Sequence, residues 1–587
     1  MGLLSGLASS LVEIAAASSA LPDVPKMLPW GGWGPARLLA RNAAERPSAV
    51  ALLFEDERYT WADVARRANQ YARFFRARGV AKGDVVALMF DNRPDFLFAE
   101  LGLCNLGAVS ALINSGLTGA PLAHAIRVGK PVLALSGVEH ARAVREVAGD
   151  VGLRASEILF KGDRATDATG TIDAELDALS THDGDWVAPR AEDPTSYIYT
   201  SGTTGLPKAA VIKNQRYMGA ASLYARVIHA LAPGDVLYVV LPLYHSNAQW
   251  MGWGACMAAG ATMALRRRFS AKAFFADAER YQATHFLYIG EICRYLLHTP
   301  PGPHDRSHRL KMGVGNGLRA DVWTAFQARF GVPLLREFYG ATEGNALLVN
   351  LEGRPGMIGR LRGSQRVIAC DADTGDPIRD ARGLCREVAV GETGLLVAQI
   401  SRLVGFDGYV DEAASQKKVL RDVQRRGDAC FNSGDLLTLH EDRWVSFADR
   451  VGDTFRWKGE NVSTGEVGKV LDAAPGVLES TVYGVPVPGA EGRAGMASLK
   501  VDDTFSLDAF AAHVTTKLPV FQRPYFLRLQ REITVTATFK QKKAALRDEG
   551  YDPSKCDDPL YFLDGNAYRA IDADLYARLA RGDAGPR

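Results

Sequence analysis

From residue 197 to 210 the chain reads Tyr-Ile-Tyr-Thr-Ser-Gly-Thr-Thr-Gly-Leu-Pro-Lys-Ala-Ala. These types at this spacing suit the grip of a triphosphate. The hydroxyls of Thr200, Ser201, Thr203 and Thr204 can donate to phosphate oxygens, while Gly202 and Gly205 let backbone N–H groups approach closely and adopt positive φ. Lys208 adds a full positive charge, attracting a phosphate by roughly 4 kcal/mol at a separation of about 4 Å and an effective dielectric of about 20, before desolvation is subtracted. An ordinary P-loop is a poor match, because it needs four residues between its glycines and Gly-Lys followed at once by Ser or Thr. Here Leu206 and Pro207 separate Gly205 from Lys208, and Ala209 follows it. A switch or motor NTPase is therefore not expected. The plain alternative is a polar Gly/Thr turn joining two strands.

The elements that must carry such a loop show in the apolar pattern. From about residue 30 to 445, short strand-like runs (Val86 to Phe90, Val236 to Leu241, Phe286 to Tyr288) alternate with helical stretches such as Phe274 to Tyr281. This alternation predicts a layered α/β fold with mostly parallel strands and ligands at strand ends. After Arg450 the texture changes. Thr454 to Lys458 reads as a strand, Ser463-Thr-Gly-Glu466 as a capping box before a helix over Val467 to Ala473, Leu478 to Val487 and Ala497 to Val501 as strands, and Leu507 to Leu518 as a helix. The expected division is an N-terminal apolar segment (1–28), a large domain of layered sheets (29–450), and a small α+β domain (451–587).

Composition narrows the partners. At 587 residues the chain is too long for one core. Its 69 basic and 67 acidic residues leave a net charge of +2, so nucleic acid is an unsuited partner. Seven scattered cysteines without a Cys-x-x-Cys pair suit a reducing cytosol and argue against structural zinc. Residues 2 to 22 carry Glu13 as their single charge and lack the positive leader of a secretory signal. They read equally as a weakly amphipathic helix, lying on a membrane or docked on the body, and as a frayed terminus.

Further motifs follow the loop in order: Tyr339-Gly-Ala-Thr-Glu-Gly-Asn345, Asn432-Ser-Gly-Asp-Leu436, Asp449-Arg-Val-Gly-Asp453 and Trp457-Lys-Gly-Glu-Asn461. The set resembles the adenylate-forming superfamily of acyl-CoA synthetases, firefly luciferases and peptide-synthetase adenylation domains. Phe455 to Ser463, Gly315-Asn-Gly-Leu318 and Thr536-Ala-Thr-Phe-Lys540 are similar to its fatty acid transport protein and very-long-chain acyl-CoA synthetase branch. The likeness runs from about residue 30 to 565. It implies a long- or very-long-chain fatty acid:CoA ligase, in which a carboxylate attacks the α-phosphorus of ATP and CoA thiol then displaces AMP. Rival readings are a ligase for a sterol-derived or aromatic acid, and a membrane-associated fatty acid uptake carrier with secondary catalysis. The implied location is cytoplasmic or peripheral on the inner face of a membrane.

A fatty acid is already ionised at neutral pH, so the first step needs alignment and charge neutralisation rather than a general base. By resemblance Glu343 is the magnesium ligand, a role suited to a carboxylate oxygen. Tyr339 packs on adenine, with Asn316, Gly317, Gly340, Ala341 and Thr342 around it. Asp435, helped by Arg450, accepts the ribose hydroxyls, and His245 lies near the acyl carboxylate. Lys540 is the lysine that the small domain delivers during adenylation. Phe539 stands where most relatives have glycine, and Lys542 and Lys543 lie close enough to be confused with it. Gly452 falls at the hinge, and Lys458, Gly459 and Glu460 would face the CoA path after rotation. Trp250 to Met257 reads either as acyl-tunnel wall or as ordinary core.

Overall fold

The computed structural model describes residues 32–586, apart from 164–169, 202–205, 364, 372–373, 402–404, 458–459, 489, 491 and 533–542. The chain divides into two compact units, Met1–Arg360 with Ser401–Lys418, and Leu361–Ile400 with Val419–Arg587.

The first unit is built on two sheets whose central strands are buried along their whole length, as strands covered on both faces must be. One sheet has six strands, in the order Ile158–Lys161, Leu133–Gly137, Val85–Met89, Val109–Leu112, Pro194–Ser201 and Pro207–Lys213. All neighbours are parallel except the last pair. The other has eight, running from Leu347–Asn350 through Leu334–Gly340, Met312–Asn316, His285–Ile289, Val236–Val239, Thr262–Leu265 and Val50–Phe54 to Glu57–Thr60. Its two outermost pairings are antiparallel and the rest parallel. The sequence placed a strand over Val236 to Leu241. It stops at Val239, because Pro242 cannot donate to a ladder and Asn92 takes the Leu241 carbonyl at 2.9 Å and the Leu243 N–H at 2.8 Å.

Two helices show how packing sets this unit. Trp61–Ala77 opens with a reciprocal Thr60/Asp63 capping box and buries Val64, Tyr71 and Phe75. It packs against Pro94–Leu106, in which every residue but Asp95 is buried. The two backbones approach so closely at Gly102 that a Cβ there would stand 2.8 Å from the Ala72 nitrogen. Trp250 to Met257 lies in a buried helical run, with a π-helical stretch Gln249–Gly254 leading into Ala255–Ala259; Trp253 stacks on Trp61 at 5.6 Å.

The second unit contains antiparallel pairs among Trp444–Arg450, Ala429–Leu439, Thr393–Gln399 and Gln365–Ile368. A five-stranded sheet follows, Val477–Pro486, Arg493–Val501, Phe526–Leu529, Leu560–Asp564 and Ala567–Ala570, with Trp457, Val467, Phe510 and Phe526 in its core. The helix expected at Val467 begins earlier, at Thr464–Asp472: Ser463 caps the Glu466 N–H at 3.3 Å, and Asp449 accepts from the Thr464 N–H at 2.8 Å. The strands and helix expected at 454–458, 478–487, 497–501 and 507–518 are present as Phe455–Trp457, Val477–Pro486, Arg493–Val501 and Leu507–Lys517. Among the described residues, no helix is long and apolar enough to cross a membrane.

Candidate active site

The strand Pro194–Ser201 and its antiparallel partner Pro207–Lys213 set Thr200 directly opposite Lys208. The hydroxyl-rich connection thus does join two strands, and Lys208 rises from strand rather than from a helix N-terminus as in a P-loop. Gly202, Thr203, Thr204 and Gly205 lie outside the described residues, as do Lys458, Gly459, Lys540 and residues 2 to 22. Ser201 pairs with Pro207 through its backbone register. The Lys208 ammonium lies 5.7 Å from the centroid of the Tyr409 ring. Burial, and next to it the Glu343 charge, hold the Tyr409 phenol well above the usual value.

Glu343 is buried at 9% exposure on the irregular turn that follows strand Leu334–Gly340. This turn is anchored from the helix Asn214–Leu223. The Arg216 guanidinium donates to the carbonyls of Ala341 (3.0 Å), Glu343 (3.3 Å) and Gly344. Burial lowers the pKa of Arg216, and the charges of Asp407 and Glu343 oppose that loss. A second anchor comes from the segment after His245, where Ser246 Oγ shares a hydrogen bond with Thr342 Oγ1 at 3.2 Å. Asn247 donates to the Asn316 side-chain oxygen at 3.1 Å. His245 itself is half-buried at the start of the short helix Ser246–Ala248.

The backbone of Gly317 and Leu318 is held by a carboxyl group. The N–H groups of Gly317 and Leu318 donate to Glu337 at 3.2 and 2.8 Å, and Gly317 takes φ +77°, which favours glycine. Burial pushes the Glu337 carboxyl up to about 8 in spite of those donors. Tyr339 is half-buried and Gly340 exposed at the end of the strand. The first unit therefore sets Thr200 opposite Lys208, holds the Glu343 turn through Arg216, and ties Thr342 and Asn316 to the segment after His245 through Ser246 and Asn247. Arg216, Glu337, Ser246 and Asn247 do not stand out in the sequence.

Within the second unit, Asp435 and Arg450 face each other across paired strands, with Nε and Oδ1 3.2 Å apart. Gly452 has φ +81°. Next to it, burial alone would raise the Asp453 carboxyl, yet Lys543 at 3.5 Å and Arg547 at 2.7 Å hold it below its usual value. Lys543 also donates to Thr464 Oγ1 at 2.9 Å. Glu460 is exposed and pairs with Trp457.

Among the described residues, one triad has metal-ligand spacing, Asp91, Glu139 and His140. It is an ion-pair network. Arg268 bonds Asp91 at 2.8 Å and Arg93 bonds Glu139 at 3.1 Å, so guanidinium groups already neutralise both carboxylates. Burial would raise Asp91, but His140 and Arg268 bring it down to about 2.

Comparison with known proteins gives the fold and the family. The structure superposes on that of the anthranilate CoA ligase AuaEII in complex with anthranoyl-AMP, with a TM-score of 0.76 and 21% identity, over 88% of this chain and 97% of that one. The architecture is that of the adenylate-forming ligases. Residues 39–398 match the AMP-binding enzyme family. Long-chain fatty acid transport protein 2 of Rattus norvegicus is 41% identical over 553 residues, 91% of this chain and 88% of the relative. The medium/long-chain-fatty-acid–CoA ligase FadD6 of Mycobacterium tuberculosis is 40% identical over 526 residues, 89% of this chain and 87% of the relative. The protein belongs to the AMP-binding enzyme family, in the branch that holds the long-chain fatty acid transport proteins. It is an AMP-forming acyl-CoA synthetase.

Proposed function

We propose that the protein is a long- or very-long-chain fatty acid:CoA ligase that forms acyl-adenylate from ATP and then acyl-CoA. The observation that carries this reading is Thr200 set opposite Lys208 on paired strands, with a buried Glu343 on an anchored turn of the same unit, in a chain about 40% identical to fatty-acid–CoA ligase and transport protein relatives. Lys208 and the Thr200 hydroxyl would bind the phosphates, and Asn316, Gly317, Tyr339, Gly340, Ala341 and Thr342 the adenine. Asp435 and Arg450 would take the ribose. His245 would border the acyl carboxylate.

Glu343 suits magnesium, because a buried carboxylate among hydroxyls offers a hard cation oxygen donors, and one or two such ligands beside substrate phosphates are usual for it. Bound there, the cation would neutralise charge on the phosphates. Lys540 would reach the acyl carboxylate and α-phosphate during adenylation, and the small domain, 451–587, would turn about Gly452 to bring Lys458, Gly459 and Glu460 to the CoA thiol. Gly452→Pro is expected to block thioester formation and spare pyrophosphate exchange; unchanged CoA turnover would remove the hinge from the mechanism.

The deciding experiment is fatty-acid-dependent ATP/pyrophosphate exchange and CoA-dependent AMP release across chain lengths. Each buried methylene contributes about 0.8 kcal/mol, so a long tunnel favours long acids steeply. A maximum with aromatic or sterol-derived acids, or no exchange with any acid, would overturn the assignment. The likeness to fatty acid transport proteins favours a second reading, uptake by membrane-bound capture. Removal of residues 2–22 should abolish membrane pelleting under that reading and leave ligase activity intact under ours.

A further inference from the structure

Strands Met312–Asn316 and Leu334–Gly340 are parallel neighbours, and their register sets Gly315 beside Glu337. On the other side of Gly315 the register sets Tyr288, from strand His285–Ile289. A Cβ on Gly315 would overlap the Tyr288 ring, so the glycine leaves room in this row for its neighbours' side chains. The Tyr288 hydroxyl donates to Arg336 O at 3.0 Å and lies 3.4 Å from Glu337 Oε1. Glu337 is 2% exposed. Its Oε2 accepts from the Gly317 N–H at 3.2 Å, and its Oε1 from the Leu318 N–H at 2.8 Å.

The turn is held at other groups too. Asn247 donates to the Asn316 side-chain oxygen at 3.1 Å, and a Cβ on Gly290 would overlap the Gly317 carbonyl oxygen. A Cβ on Gly317 itself would meet nothing within 4 Å. One face of the turn is therefore packed and the other open, and a glycine at positive φ with open space beside it lets a ligand approach the backbone closely. Glu337 and Tyr339 are two residues apart in one strand, and side chains at that spacing leave a sheet on the same face. A carboxyl group suits the task of fixing this turn. Its two oxygens can each take one of two successive N–H groups, which a carboxamide cannot do because its NH2 is a donor. A buried N–H left without a partner costs more than a satisfied one gains.

We propose that Glu337 is a positioning residue for the nucleotide base, holding the turn of Asn316, Gly317 and Leu318 so that its open face meets the purine ring. The proposal rests on the reading of Asn316 and Gly317 as adenine contacts. Glu337→Gln keeps the size of the side chain and removes one acceptor; Glu337→Asp keeps the carboxyl group and withdraws it by one methylene. The readout is hexadecanoate-dependent pyrophosphate exchange. Both variants are expected to raise the KM for ATP, the first by about 10-fold, with kcat and the KM for hexadecanoate within about 3-fold of wild type. The half-saturating magnesium concentration should hold, and the preference for ATP over GTP should narrow. Asn316→Ala is the companion variant, since it removes a base contact and leaves Glu337 in place. An unchanged ATP KM in both Glu337 variants, with Asn316→Ala shifted, would overturn the role of Glu337 alone. A fall in kcat with the ATP KM unmoved would overturn it likewise, leaving Glu337 as a support of the fold. An unchanged ATP KM in Asn316→Ala would overturn the adenine reading and this proposal with it.

Discussion

Glu343 and Asp435 are the two carboxylates that the motifs single out, and each unit of the molecule holds its own in a different way. Asp435 lies in a long strand, and the antiparallel register alone sets it opposite Arg450. Glu343 lies on a turn outside regular structure, held through Arg216 and, one residue earlier, through Ser246 on Thr342. A strand residue inherits its position from a ladder of backbone hydrogen bonds. A turn residue has no ladder and must be held by side chains from elsewhere in the chain. Substitution of neighbours should therefore disturb Glu343 more than Asp435.

The largest effect is expected at Lys540, which lies outside the described residues. Lys540→Ala should slow adenylation by about 1000-fold, the order seen when a transition-state charge partner is removed, and spare thioester formation from supplied acyl-adenylate. Equal loss of both half-reactions would remove the idea that motion delivers this residue. Next, Glu343→Gln should reduce exchange at limiting magnesium by about 100-fold, whereas Asp435→Ala should raise the KM for ATP by about 10-fold and leave the magnesium titration unmoved, since one lost charge-assisted hydrogen bond is worth about 1.5–3 kcal/mol. The same magnesium shift in both variants would erase the contrast.

The anchors supply a sharper version. Arg216→Gln should raise the magnesium requirement by roughly 10-fold, because it releases three carbonyls of the turn that carries Glu343. Arg450→Gln should stay within about 3-fold of wild type, because its side chain is half-exposed and exposed ion pairs are worth only about 0–1 kcal/mol. A larger effect from Arg450 would reverse the ranking.

The smallest effect is on stability, and its sign differs between the units. In the first, burial raises Glu100 beside Gln249, and likewise Glu337, to about 8 from an ordinary 4.5. Stability tied to a raised carboxyl is complete below about 4.5 and falls as pH climbs through 8, by up to about 1.4 kcal/mol per pH unit for each group. Asp453 in the second unit is depressed, so its contribution is present above its ordinary value and disappears on acidification below it. Glu100→Gln should flatten the decline in urea-unfolding stability between pH 5 and 8, with little change at pH 5. A slope equal to wild type would show that Glu100 ionises freely in the fold.

Much of the architecture was legible because long apolar runs have one way to be buried. Runs such as Val86 to Phe90 and Phe286 to Tyr288 are strands within one residue of the bounds read from them, and the strands read at 478–487 and 497–501 belong to a five-stranded sheet, although the second compact unit already begins at Leu361. Ends were less legible where a distant side chain decided them. Asn92 draws the chain out of its sheet after Val239, and Asp449 starts a helix at Thr464 ahead of the apolar pattern. Of the site, the motifs gave Thr200, Lys208, Asn316, Thr342, Glu343 and Asp435 as residue types suited to phosphate, adenine, metal and ribose. They gave no sign of Arg216, Glu337 or Tyr409. A buried arginine and a surface arginine read alike in one dimension, and Tyr409 lies 66 residues from Glu343 by number.

The amino-acid order by itself determined which groups can bond to phosphate and which segments must be covered, because hydroxyl, charge and apolar area are properties of single residues and their near neighbours. Only the tertiary structure decided how those groups are aimed. Direction at a turn is set by donors and acceptors that arrive from elsewhere in the chain, and their arrival depends on sheets that close before the turn can be held.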